Sequence, residues 1–127
     1  MNSTKSLVLV VGSLVAALVI GACGGSSTSY GGGAPACSVA TATATTSVTI
    51  QASAFTPPCI KVAAGATVTF TNNDAMQHTV TADDGSYNAL LSLSGATQTF
   101  QHAYAAAGTS NYHCTFHSLM KGTVIVQ

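Results

Sequence analysis

IKVAAGATVTFTN, residues 60–72, alternates apolar and hydroxyl-bearing side chains around a turn. Ile60 and Val62 flank Lys61, Val68 and Phe70 stand between Thr67, Thr69 and Thr71, and Ala64-Gly65 divides the two runs. Successive side chains of a strand point to opposite sides, so a period of two rich in Val and Thr marks strands with one face buried. The pattern recurs on either side. Val48, Ile50 and Ala52 alternate with Thr49 and Gln51, and similar runs cover His78 to Thr81, Thr97 to Tyr104, Ser110 to Cys114 and Thr123 to Val126. Turn signals separate them at Pro57-Pro58, Asn72-Asn73-Asp74, Asp83-Asp84-Gly85, Ser94-Gly95 and Gly108. Gly85 to Leu93 reads equally as strand, loop or short helix. About seven to eight short strands predict an all-β fold, a Greek-key β-sandwich or barrel.

Charge is scarce. Charged residues make up 5% of the 127-residue chain, Lys5, Lys61 and Lys121 against Asp74, Asp83 and Asp84. Nucleic-acid binding needs a basic face to neutralise phosphates, and three scattered lysines do not make one. A hydrolase built on paired carboxylates is also disfavoured, because the adjacent pair Asp83-Asp84 sits in a turn signal. With Trp absent and aromatics at 6%, the core has to come mostly from Val, Ile, Leu and Ala.

The chain opens with one Lys in residues 1–6, an apolar run over 7–20, and then Ile20-Gly21-Ala22-Cys23. That run is shorter than the about 20 residues a membrane-spanning helix needs and reads as the core of a secretory signal. Small residues ahead of a cysteine resemble the bacterial lipobox. Residues 1–22 are therefore expected to be a lipoprotein signal peptide, with Cys23 the lipidated first residue of the mature chain. Gly24 to Ala36 holds five Gly and three Ser in thirteen residues, so residues 23–36 read as a flexible tether. The folded domain is expected over 37–127, in the periplasm or at the cell surface, lipid-anchored to the cell envelope.

The informative run is Tyr112-His113-Cys114-Thr115-Phe116-His117-Ser118-Leu119-Met120. It holds Cys114, His117 and Met120 as C-x2-H-x2-M, and His78 stands upstream at the head of its own strand-like run. Copper cycling between Cu(II) and Cu(I) is well served by two imidazoles and a thiolate, with a weak thioether along the axis. One loop leaving a strand can deliver three of these donors, and a neighbouring strand must bring the fourth. His78, Cys114, His117 and Met120 are the candidate ligands. Period-two alternation puts His113 on the opposite side of its strand from Cys114 and His102 between Phe100 and Tyr104, so both read as structural or surface residues.

These residues resemble the cupredoxins, small type 1 (blue) copper proteins, in their plastocyanin and amicyanin group. The likeness runs through Ala54-Phe55-Thr56-Pro57, Ile60 to Asn72, Ala75-Met76-Gln77-His78 and the short C-x2-H-x2-M loop, which is amicyanin-like. It implies one type 1 copper ion and single-electron transfer without substrate turnover. It also implies redox protein partners docking on an apolar patch around His117, next to Phe116, Leu119 and Met76. One departure matters. Members often carry Asn after the first His ligand to brace the ligand loop, and here Thr79 stands there, with a hydroxyl that can reach the Thr115 region.

Cys37 and Cys59 lie outside the plastocyanin pattern, and in an exported domain they are expected to pair. A monomer is expected. A copper carrier or buffer would use the same ligands and pass the ion on, and a metal-free Ig-like adhesion module would leave the four donors a coincidence.

Overall fold

The alternation at residues 60–72 becomes two strands on opposite sheets, joined through Gly65, whose φ of 84° makes the turn without a side-chain clash. The computed structural model describes residues 36–93, 95 and 98–127. The expected signal peptide, Cys23 and all of the tether except Ala36 lie outside the described residues. Ten strands follow in order among the described residues: β1 (Thr43–Ala44), β2 (Ser47–Gln51), β3 (Ala54–Thr56), β4 (Cys59–Val62), β5 (Ala66–Asn72), β6 (His78–Ala82), β7 (Asn88–Leu91), β8 (Thr99–Tyr104), β9 (Gly108–His113) and β10 (Lys121–Val126). Among the described residues there is no α-helix, and no helix long and apolar enough to cross a membrane.

The strands form a six-stranded sheet, β1-β4-β10-β9-β6-β7, and a four-stranded sheet, β3-β2-β5-β8. Parallel pairings of β4 with β10 and of β2 with β5 tie distant parts of the chain together. Inward residues of both sheets make one core, with Val48, Ile50, Phe55, Val68 and Phe70 from the smaller sheet. Ile60, Val80, Leu91, Tyr112 and Val124 come from the larger. The ring of Tyr112 packs edge-on against Phe55 and Phe70, with centroids 4.7 Å and 5.2 Å away.

This is the expected all-β sandwich, with a higher strand count than the sequence pattern gives. The additional strands, β1 and β3, have two and three residues, too short for alternation to register. Within the ambiguous stretch from Gly85 to Leu93, residues 88–91 form edge strand β7, paired to β6 with His78 opposite Leu91. Cys37 and Cys59 are joined by a disulfide, Cα atoms 5.4 Å apart, which fastens the start of the described chain to β4.

Candidate metal centre

His78 opens β6, and a buried polar residue decides where that strand begins. Asn72, at the end of β5, is fully buried, and its amide donates to the carbonyls of Met76 at 2.9 Å and Ser92 at 3.0 Å. Its side-chain oxygen accepts the Asp74 N–H at 3.0 Å. Residues 73–77 are thereby folded against the sandwich, and His78 enters with its ring wholly buried.

Asp74 orients that ring. Its Oδ2 lies 3.0 Å from Nε2 of His78 and accepts the Ser53 N–H at 2.7 Å, while Oδ1 accepts the Ala75 N–H at 2.8 Å. The two backbone donors, Ser53 foremost, hold the carboxyl below its ordinary pKa. A carboxylate only accepts, so Nε2 carries a proton and Nδ1 is the nitrogen turned to the cluster. That Nδ1 lies 3.7 Å from Sγ of Cys114. Ser53 itself sits in a strained turn, where Ala52 and Ser53 have φ of 51° and 55°, a region that residues other than glycine seldom enter.

The other donors follow β9. Cys114 is buried, and its N–H donates to the Met120 carbonyl at 3.0 Å. Within the loop, the His117 N–H donates to Cys114 O at 3.3 Å and the Met120 N–H to His117 O at 2.9 Å. Consecutive turns thus fold 114–120 back on itself and bring residues three apart to one end of the sandwich. Nδ1 of His117 stands 3.7 Å from Cys114 Sγ, and the two histidine rings are 4.8 Å apart by centroid. Met120 is buried where the loop rejoins β10.

Thr79 ties the two parts together. Its N–H donates to Cys114 Sγ at 3.3 Å, and its Oγ1 accepts the Thr115 N–H at 2.8 Å. The hydroxyl makes the brace for which many relatives of this pattern use Asn.

The donor atoms of His78, Cys114 and His117 all lie within 4.8 Å of one another. An ion bonded to nitrogen and sulfur at about 2.0–2.3 Å leaves the two no more than about 4.4 Å apart. Both sulfur–nitrogen distances, 3.7 Å, meet that bound. A soft thiolate with two imidazoles suits copper. Around the cluster the surface is apolar, with Met76, Phe116 and Leu119 exposed, Leu119 by 89%. His113 is turned away and donates through Nδ1 to Asp83 at 2.6 Å. His102 packs between Tyr87, tilted with centroids 4.3 Å apart, and Tyr104, edge-on at 4.7 Å, so neither joins the cluster.

A family model described as a cupredoxin-like domain matches residues 14–126. The chain belongs to that family. Among curated proteins this cupredoxin is similar to amicyanin-alpha of Methylorubrum extorquens, 34% identical over 85 residues, 65% of this chain and 71% of the relative. It is also similar to amicyanin of Paracoccus denitrificans, 36% identical over 77 residues, 58% of each chain. Among solved structures it resembles a purple cupredoxin from Nitrosopumilus maritimus, 25% identical with a TM-score of 0.56, across 64% of this chain and 98% of the other. Sequence reasoning missed Asn72, Asp74 and Ser53 as supports of His78. An acidic residue four places before the histidine was the available signal, and only the fold shows that the two side chains meet.

Proposed function

We propose that this cupredoxin is a type 1 (blue) copper electron-transfer protein of the bacterial cell envelope, cycling between Cu(II) and Cu(I). His78, Cys114 and His117 would be the strong ligands, with Met120 a weaker fourth donor from the same loop. The observation that carries the reading is the cluster of one sulfur and two imidazole nitrogens, 3.7 Å apart along both sulfur edges, the donor set of such sites. Bound copper supplies a one-electron couple. The chain supplies the frame.

Asp74 keeps His78 in the tautomer with a free Nδ1, and full burial of the ring keeps it from following changes of charge at the site. The Thr79 N–H stabilises the Cys114 thiolate through a charge-assisted hydrogen bond. His117 is half-buried beside Phe116 and Leu119, which gives electrons a short way out through an apolar surface. Redox protein partners dock there by apolar contact, because Lys61 and Lys121 against three aspartates leave too little net charge for long-range steering. The protein acts as a monomeric carrier and turns over no substrate. Cys23 carries the lipid that anchors it in the periplasm or at the cell surface.

Adding Cu(II) to the purified domain should give an intense blue colour from thiolate-to-copper charge transfer, and Cys114→Ser should abolish it. A colourless copper complex of the unaltered protein overturns the assignment. A copper carrier or buffer is the second reading, favoured by the part exposure of His117, through which an ion could leave. Repeated oxidation and reduction without loss of colour separates the two.

A further inference from the structure

Strands β6 and β9 pair in register at Ala82↔Tyr112 and Thr81↔His113, and there the regular ladder stops. Continued by two residues, that register places Thr79 opposite Thr115. The backbone bonds an antiparallel pair would exchange at that position are replaced. The Thr79 N–H goes to Cys114 Sγ at 3.3 Å, and the Thr115 N–H goes to Thr79 Oγ1 at 2.8 Å. One hydroxyl therefore closes the sheet at the point where the strands part beside the donor cluster.

That hydroxyl is itself held from outside. Thr81 Oγ1 is 3.0 Å from Thr79 Oγ1, to which it donates, and 2.9 Å from Oδ1 of Asn88 on β7, its partner in the register. Thr81 has a single hydroxyl proton for these two acceptors. When it serves Thr79, the Thr79 oxygen accepts from both Thr81 and the Thr115 N–H, and its own proton is left for Thr115 Oγ1, 3.2 Å away. The rotor is then locked. When the proton serves Asn88, Thr79 loses that donor, and its own proton can turn to either Thr81 Oγ1 or Thr115 Oγ1.

We propose that Thr81, acting through Thr79, is a positioning residue of the metal centre, and that Asn88 sets how firmly it acts by competing for Thr81's one hydroxyl proton. The role rests on the copper reading given above. The hydroxyl chain also exists without metal, so it can be tested separately. Neither residue touches the donor atoms. Their effect reaches the thiolate through the backbone N–H of Thr79, and outer partners of this kind tune a metal site.

The test is amide hydrogen exchange of Thr115 in the metal-free protein, together with the reduction potential of the copper protein. Thr81→Val should speed Thr115 exchange about fivefold, the loss of one ordinary hydrogen bond. The potential should fall, because a weakened N–H···S bond favours Cu(II), and Thr81→Ser should restore both values. Asn88→Ala, at an exposed site that tolerates change, should do the opposite, slowing exchange and raising the potential. Exchange and potential unmoved in a folded Thr81→Val, or failure of Thr81→Ser to restore them, overturns the positioning role. If Thr81→Val does not fold, Asn88→Ala decides, and unchanged or faster exchange there overturns the proposal. An unaltered protein that stays colourless with Cu(II) sinks the copper reading itself and is recognised before any variant is made.

Discussion

The two histidines of the site are built in opposite ways. His78 is wholly buried at the head of a strand, with one ring nitrogen on Asp74 and the other facing Cys114. His117 rides on a seven-residue turn of chain, half-exposed between Phe116 and Ser118, with its nitrogen on the same sulfur. The first is fixed by the sandwich; the second is fixed by its own loop. The proposed electron-transfer role needs both, because one side must resist movement while the other must reach a partner.

Removing each ring in the metal-free protein is the strongest way to break this comparison. His78→Ala should cost about 3 kcal/mol in urea unfolding, since it empties a buried site and strips Asp74 of its side-chain partner. His117→Ala should stay within about 0.5 kcal/mol, as surface substitutions do. Added imidazole should restore the blue colour of copper-loaded His117→Ala and leave His78→Ala colourless. Equal costs, or equal rescue, would erase the distinction.

Next in size is the support behind His78. Asn72→Ala removes the donor to Met76 O and should cost about 2 kcal/mol, the penalty for a buried polar group left unpaired. The sulfur-to-copper band should shift as well, because residues 73–77 position His78. A stability loss with an unchanged spectrum would confine Asn72 to packing.

The smallest effect has the opposite sign. Ala52→Gly relieves a left-handed residue at φ 51°. It should stabilise the protein by about 0.5–1 kcal/mol, the strain relieved less the added freedom of the unfolded chain. Urea midpoints read it. A destabilised Ala52→Gly would mean that the turn is held by contacts of the alanine methyl.

Much of this frame is legible in the sequence, for physical reasons that also mark its limits. Alternation such as Val68-Thr69-Phe70 reports a half-buried strand directly, because side-chain direction is a property of the backbone. Cys114, His117 and Met120 are legible as a group because one short loop places all three. His78 is harder, since it meets them only through the pairing of β6 with β9, and family resemblance supplies that link. Asn72, Asp74 and Ser53 were not legible as a group. Their bonds cross 21 residues from Ser53 to Asp74 and 20 from Asn72 to Ser92, and no local pattern encodes such a meeting. Strands β1 and β3 escaped because two or three residues carry no period.

The place of β10 has a consequence for how the protein is made. It is the last strand in chain order, yet it lies inside the six-stranded sheet, between β4 and β9. A ribosome releases the chain from its amino end, so the larger sheet stays split until β10 emerges. Such distant pairings are slow to form. By the time Met120 has been added, His78, Cys114 and His117 are all synthesised, but β10 has yet to fasten the loop's far end. Only when the six residues of β10 slide in beside β4 does the loop acquire its second post. The donor cluster is therefore completed only after β10 has paired.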